Sequence, residues 1–437
     1  MKNRLLLVIS LLLIVSLLLP ACGSIVATTT APTEPQPTQS PQPNTSSVPA
    51  DTVAPTAAAE PVTITIWHGW QGEYYNNIQT IFAQYHTDHP NVTINLVEVP
   101  DLSDKIVTAA SAGEGPDIVA FANDWIGRLS AADIIIPLDD YLDKAEYQAT
   151  YLPTAVASQT YQGKIWGFPE AMETLTFIYN KNLISEDQLP KTTDELLTNA
   201  AQWQKDHPGQ YYFVYNAKND AYFSAPWFYG FGAFFVKEDG SVGLNTPEGI
   251  AAANFINKLR AVMPKEIDYG IADTLFKEGK APITMNGPWY IADLEAAGID
   301  YGMATIPVIS TTGKPAVPFV GVKTLMVTST SQHPEVAVDI LKYFTSKDAQ
   351  ILLSTKNKTI PTNLAAAADS AVQALTTVAN FSRQAALGTP MPSSPFMNAL
   401  WDPVAKMLEA IWTGGATPEE AVKTAQTAAE TNIEAMK

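Results

Sequence analysis

Between residues 62 and 99 the chain changes periodicity twice, and that change restricts its fold more than any other feature. Val62–Trp67 (VTITIW) alternates as a strand does. Tyr74–His86 then places Ile78, Ile81, Phe82 and Tyr85 at i, i+3, i+4 and i+7, one face of a helix, and Val92–Val99 (VTINLVEV) returns to strand. Pro90 closes the helix. This is a βαβ unit, whose two strands lie parallel and whose crossover is right-handed. A helix over Asp104–Ala112 and the apolar run Ile118–Phe121, entered through Gly113-Glu114-Gly115-Pro116, extend the same sheet; such a run is a strand covered on both faces. Strand and helix patterns keep alternating to the C-terminus without an internal repeat. The fold class is therefore α/β, with mixed but mostly parallel sheets flanked by helices and length enough for two substantial cores.

Open α/β sheets bind ligands beyond the carboxyl ends of their strands. Directly after Ile118–Phe121 come Asp124 and Trp125, and after the first strand comes His68-Gly69-Trp70-Gln71-Gly72 on the same rim, so both stretches can face one ligand. Asp124 beside Trp125 has two readings, a helix N-cap (Asn123 or Asp124) next to a core tryptophan or an acceptor next to a stacking surface, and this stretch alone does not choose. Trp67 and Trp166 read as core.

Farther along, the alternation from Glu173 to Tyr179 predicts one extended strand, long enough to cross between two lobes. Leu183–His207 reads as helical around a Pro190-Lys191-Thr192 turn, with Thr193 as N-cap. Asn219–Ser224 is a polar–aromatic loop. Thr246 and Pro247 are the N-cap and first position of a helix reaching Val262. Ile271–Lys280 is a short helix, and Ala281–Met285 is a strand that opens into Asn286-Gly287-Pro288-Trp289, a turn presenting a tryptophan at the strand end. Val317–Val327 is a long β segment and Pro334–Phe344 an amphipathic helix. From 363 the chain is Ala-rich and helical, apart from a Pro-rich loop over Gly388–Phe396 that feeds the helix containing Trp401.

The leading end has a different character. Met1-Lys2-Asn3-Arg4 precedes an uncharged apolar run, Leu5–Leu19, a signal-peptide pattern too short for a comfortable membrane span. Ala21-Cys22 matches the lipobox of bacterial lipoproteins, with Pro20 an unusual residue inside it. The expectation is that residues 1–21 are removed and that Cys22 is diacylated. The protein is then held on the extracytoplasmic side of the cell membrane through that lipid only. Residues 22–61, with eight prolines between 24 and 61, form a disordered tether. A single cysteine leaves no disulfide framework and no cysteine-based metal site; no cofactor is implied.

Loss of residues 1–21 removes Lys2 and Arg4 and leaves 24 basic against 44 acidic side chains, a charge of −20. That argues against nucleic acid and anionic membrane surfaces as ligands. The four arginines (4, 128, 260 and 383) are too scattered to clamp phosphate, whereas nine Trp and seventeen Tyr are plentiful. Carboxylates and aromatics without arginine suit a neutral polyhydroxylated ligand. Sugar rings pack apolar C–H faces on aromatic rings and offer hydroxyls to carboxylates.

Taken in order, Ile64-Thr65-Ile66-Trp67, Gly113–Ile118, Tyr179-Asn180-Lys181, Asn286–Trp289, Pro318–Val322 and Met391-Pro392 leading to Trp401 resemble the sugar-binding lipoproteins and periplasmic proteins of ABC importers, their maltose/maltodextrin-binding members above all. The resemblance covers 62–437. It implies a type II two-lobe clamshell with three chain crossings, the N-terminal lobe comprising 62–171 plus 325–373 and the C-terminal lobe 172–324 plus 374–437. It further implies a monomer that binds maltose or maltodextrin between the lobes and delivers it to an ABC permease. Position by position, Asp124 matches a cleft aspartate that accepts from sugar hydroxyls, Glu173 a glutamate in a crossing segment, Tyr222, Trp289 and Trp401 stacking aromatics, and Tyr269 a cleft tyrosine. Departures are concentrated at the polar fringe: Phe121 replaces a Trp, Trp125 an Arg, Gln71-Gly72 an Asp-Lys pair, Asp220 a Glu, and Asp402 and Ala405 a Tyr and an Arg. The ligand-binding candidates are Trp70, Gln71, Phe121, Asp124, Trp125, Glu173, Asp220, Tyr222, Tyr269, Trp289 and Trp401.

A glycosidase is the rival class and needs two carboxyls roughly 5–10 Å apart across a scissile bond. Glu170 and Glu173, three apart on a strand, point to opposite faces; Asp124 with Glu173 could span a cleft. The sequence contains no HExxH, Walker loop or GxSxG, and the expectation is a binding protein rather than an enzyme. A glycan-adhesive or sensory lipoprotein of the same fold is the other alternative.

Overall fold

The computed structural model describes residues 60–436. The signal peptide, Cys22 and nearly all of the tether lie outside the described residues.

Strand β1 (Val62–His68), helix α1 (Gly72–Asp88) and strand β2 (Val92–Glu98) form the βαβ unit; α2 (Leu102–Ser111) then leads to β3 (Ile118–Ala122), and a 3-10 turn enters α3 (Ile126–Ala131). Strand β4 (Phe168–Glu173) belongs to this first sheet. Strands β5 (Thr176–Asn180), β6 (Phe213–Val214), β7 (Ile283–Asn286) and β8 (Tyr301–Ala304) make a second sheet in the order β8-β5-β7-β6. Helices α4 (Thr193–Asp206), α5 (Ala221–Phe231), α6 (Pro247–Arg260) and α7 (Tyr269–Lys277) lie between its strands in sequence. The long β9 (Phe319–Val327) returns to the first sheet. It is followed by α8 (Pro334–Phe344), α9 (Lys347–Asn357), α10 (Thr376–Ala385), the short β10 (Thr389–Pro390), α11 (Trp401–Thr413) and α12 (Pro418–Glu434).

Both sheets are mixed. β1 pairs in parallel with β2, from Val62 opposite Val92 to His68 opposite Glu98, and with β3 on its other side. β9 runs antiparallel to β3 and β4 and reaches β10 at its start. In the second sheet β5 is antiparallel to β7 and β8, and β7 is parallel to β6.

The apolar run of β3 has the cause expected of it. Ile118 and Ala120 enter the core formed with Ile78 and Phe82 of α1 and Leu341 and Phe344 of α8, while Val119 between them enters a second core with Ile106, Ile126 and Leu129. Leu325, Met326 and Val327 of β9 alternate between the same two cores. The second sheet buries Phe177, Ile178 and Ile283 in a separate cluster with Trp227, Phe255 and Trp412. Separate cores joined by a few extended crossings allow rigid-body motion about the crossings.

Four local expectations are corrected. The loop expected over Asn219–Ser224 is helical from Ala221, because Asp220 caps a helix there. The single strand over Glu173–Tyr179 is two strands, because Thr174 and Leu175 turn from one sheet to the other and Thr174 Oγ1 donates to the Phe319 carbonyl at 2.9 Å. The helix expected from Leu183 is confined to Thr193–Asp206, with Thr192 rather than Thr193 as the N-cap; its hydroxyl accepts from the Glu195 amide. The Ala-rich stretch after 363 breaks into short helices, because Asn363 and Asp369 each cap a new start.

Candidate ligand-binding site

At the end of β3 a 3-10 turn, Asn123–Trp125, sets the first side of the site. Asn123 is fully buried and anchors the turn: its Nδ2 donates to the Met391 carbonyl at 2.9 Å and to Ser393 Oγ at 3.0 Å, and its Oδ1 accepts from the Val322 amide at 2.9 Å. With Asn123 fixed, Asp124 is aimed inward. Its Oδ2 accepts from Trp401 Nε1 at 3.0 Å, and its backbone carbonyl accepts from Asn398 Nδ2 at 2.8 Å. The carboxylate caps no helix, so the capping alternative is closed. Burial pushes its pKa up to about 6, against the opposing effect of the Trp401 hydrogen bond.

Facing it are three aromatic side chains packed against the core of the second sheet. Tyr222 stands in the first turn of α5, Trp289 in the 3-10 turn after β7, and Trp401 at the start of α11. The Tyr222 and Trp289 ring centroids are 6.2 Å apart at 54°, and Trp401 meets Phe319 edge-on at 6.4 Å. Trp289 lies over Gly287, where a Cβ would come within 2.1 Å of the indole. Tyr222 Oη is buried without a hydrogen-bond partner among the described residues, a state that costs about 1–3 kcal/mol until a ligand group supplies one. These rings, with Phe121, Asp124, Trp125, Glu173, Gly321, Val322, Lys323 and Met391, line a cavity of about 510 Å³.

Trp125 both packs and lines. It meets Phe121 edge-on at 4.9 Å, the Arg128 guanidinium lies 4.8 Å from its ring centroid, and it still borders the cavity.

A second chamber of about 680 Å³ shares Phe121, Glu173, Trp289 and Lys323 with the first and adds Trp70, Gln71, Tyr74 and Glu170, so the two form one groove. Lys323 Nζ lies 2.8 Å from Glu173 Oε1. Glu170 accepts from Tyr74 Oη at 2.5 Å and Trp70 Nε1 at 3.2 Å; burial pushes its pKa up, and the nearby Lys323 ammonium works against that. Opposite-face geometry fails for Glu170 and Glu173. The pairing of β4 with β9 slips between Lys323 and Thr324, facing Ala171 and Pro169 respectively, and the extra residue at Glu170 restores both carboxylates to one side.

The model of the bacterial extracellular solute-binding proteins matches residues 69–351. The chain belongs to this family. Among similar curated proteins, the maltotriose-binding protein of Pyrococcus abyssi is 31% identical over 80% of this chain and 77% of its own length, and the galactooligosaccharide-binding protein of Bacillus subtilis is 27% identical over 85% and 90%. Among solved structures, the maltose/maltodextrin-binding domain of Bdellovibrio bacteriovorus bound to maltotriose superposes with a TM-score of 0.79 at 31% identity, covering 85% of this chain and all of that one. The fold of this solute-binding protein is the type II clamshell.

Not every candidate reaches the groove of the solute-binding protein. Asp220 does not line it; its carboxylate accepts from the Phe223 amide at 3.1 Å and from Asn216 Nδ2 at 2.9 Å as the N-cap of α5. Tyr269 stands behind Phe223, 36% exposed, where its Oη accepts from Asn286 Nδ2 at 3.5 Å. Gln71 reaches only the rim of the second chamber, where it is exposed and its Nε2 donates to Glu98 Oε1 at 2.7 Å. Trp70 is buried against His68 and Phe344 and borders the second chamber. Lys323, Met391, Tyr74 and Glu170 were not among the candidates; the strand pattern at Val317–Val327 marks the element that carries Lys323 but not the face.

Proposed function

We propose that this solute-binding protein captures a malto-oligosaccharide in the groove between the two sheets and hands it to an ABC permease. The observation that carries the reading is the opposition of Tyr222, Trp289 and Trp401 to the buried, inward-aimed Asp124, with Tyr222 Oη left unpaired. Rings take the apolar faces of sugar units, and Asp124 and Glu173 accept from hydroxyls whose donation offsets carboxylate desolvation. A relative is a maltotriose binder and a structural neighbour holds maltotriose, which supports an α-glucan. The galactooligosaccharide-binding relative favours a second reading on the same rings, a galacto-oligosaccharide.

Its two lobes comprise 62–171 with 325–373 and 172–324 with 374–437. A sugar touching both prefers the closed form and shifts the population toward it, and the permease reads that closed form. No hydrolysis takes place. The mature protein is a monomer, anchored by a lipid on Cys22 beyond a flexible tether.

A thermal-shift screen of maltose, maltotriose, cyclodextrins and galacto-, xylo- and cello-oligosaccharides tests the ligand. Ligand at a hundred times its Kd adds about 2.7 kcal/mol of stability, so malto-oligosaccharides should raise the midpoint by several degrees and the others should not. A shift with galacto-oligosaccharides alone selects the second reading. For the anchor, Cys22→Ser should move the protein from the membrane to the soluble fraction; continued sedimentation with membranes contradicts it.

A further inference from the structure

We infer that Lys323, on the crossing strand β9, contacts the bound oligosaccharide directly and, paired with Glu173, reads two neighbouring hydroxyls on the sugar ring lying between the two chambers. The inference deepens the oligosaccharide reading and rests on it.

Lys323 lines both chambers where they join. Its Nζ is 2.8 Å from Glu173 Oε1 and 4.1 Å from the Tyr74 ring centroid, and the two charged side chains keep 26% and 18% of their surface accessible. An ammonium has three N–H groups. Glu173 takes one and the Tyr74 ring face another, which leaves a donor for the groove, while Glu173 keeps a second oxygen. Adjacent ring hydroxyls offer an acceptor and a donor side by side, the complement of an ammonium beside a carboxylate.

The surroundings hold Lys323 in this position. Glu170, brought to the same side by the slip in pairing, is fixed by Tyr74 Oη and Trp70 Nε1. Desolvation opposes the charge on Lys323, but Glu173 and Glu170 outweigh it and keep the ammonium protonated. Removing a charged pair from water is costly; here the pair lies on the groove lining, where its remaining donor and acceptor can be used by a ligand.

The test is calorimetry with maltotriose and its monodeoxy analogues on the full mature chain, wild type against Lys323→Met. The expected result is at least a tenfold loss for maltotriose, with wild type and variant binding equally the analogue that lacks the contacted hydroxyl. A uniform loss across all analogues assigns Lys323 a structural role and overturns the inference, as does no loss at all. Should Lys323→Met fail to fold, Lys323→Met/Glu170→Leu, which removes the buried Glu170 carboxyl together with the ammonium, undergoes the same titrations with the same two outcomes. A wild-type chain that binds no malto-oligosaccharide overturns the ligand reading and this inference together, and is distinguished by its failing at the first titration.

Discussion

Trp401 Nε1 donates to Asp124 Oδ2 at 3.0 Å, joining the first turn of α11 to the turn that ends β3. In the proposed site one indole is thus both a stacking surface and the partner that orients the carboxylate opposite. Truncation removes both, so Trp401→Ala should weaken sugar binding by about 2 kcal/mol or more. Trp401→Phe keeps a ring without the N–H and should lose less. Calorimetric affinities of the two variants check this, and an unchanged value for Trp401→Ala removes the residue from the site.

Asp124 gives the site a pH dependence. Its folded pKa of about 6 stands above the ordinary aspartate value of 3.8, chiefly through burial. The native chain therefore binds the proton more readily than the unfolded chain. The stability this contributes is present below 3.8 and lost as pH rises through about 6. Sugar donation favours the ionised form, so affinity should rise with pH through about 6, by up to about tenfold per unit on the acid side. Titrations between about pH 5 and 7 test the sign, and Asp124→Asn should flatten the profile while weakening binding.

Gly287 has an extended backbone that any residue could adopt, with φ −106°. Glycine is needed there because of the Trp289 ring, 2.1 Å from where a Cβ would be. Gly287→Ala should push the indole off its seat and weaken binding about tenfold, roughly 1.4 kcal/mol. Circular dichroism should remain that of the wild type, and a tryptophan fluorescence change should accompany the loss.

Asn123 is not among the cavity-lining residues, yet it fixes the turn that aims Asp124. Asn123→Ala leaves the Val322 amide, the Met391 carbonyl and Ser393 Oγ each short of a buried partner. A loss of about 3 kcal/mol in unfolding free energy is expected, read as a lower urea midpoint.

What could be read in advance followed from position relative to regular elements. Asp124 and Trp289 were legible because each follows an apolar strand directly, where an open sheet exposes its ligand rim. Asp220 misled because a carboxylate ahead of a helix has the same local pattern whether it caps the helix or binds a ligand, and only the Phe223 amide contact separates the two. Glu170 and Lys323 were missed for a different reason. Alternation along a strand assigns faces only while the register is unbroken, and the slip opposite Lys323 and Thr324 reverses the parity at Glu170. The break at Thr174-Leu175 was hidden likewise, since a β-branched threonine followed by a leucine continues the polar–apolar alternation of a strand.

At the centre of the proposed function, the Asp124–Trp401 groove holds a malto-oligosaccharide. Calorimetric titration of the mature chain with maltotriose tests it most directly. The expected result is saturable binding of one sugar per chain, greatly weakened by Trp401→Ala, with the trisaccharide recovered intact. No heat of binding at sugar concentrations up to about 1 mM, a level at which a Kd corresponds to only about 4 kcal/mol, or recovery of shortened sugars, would contradict it.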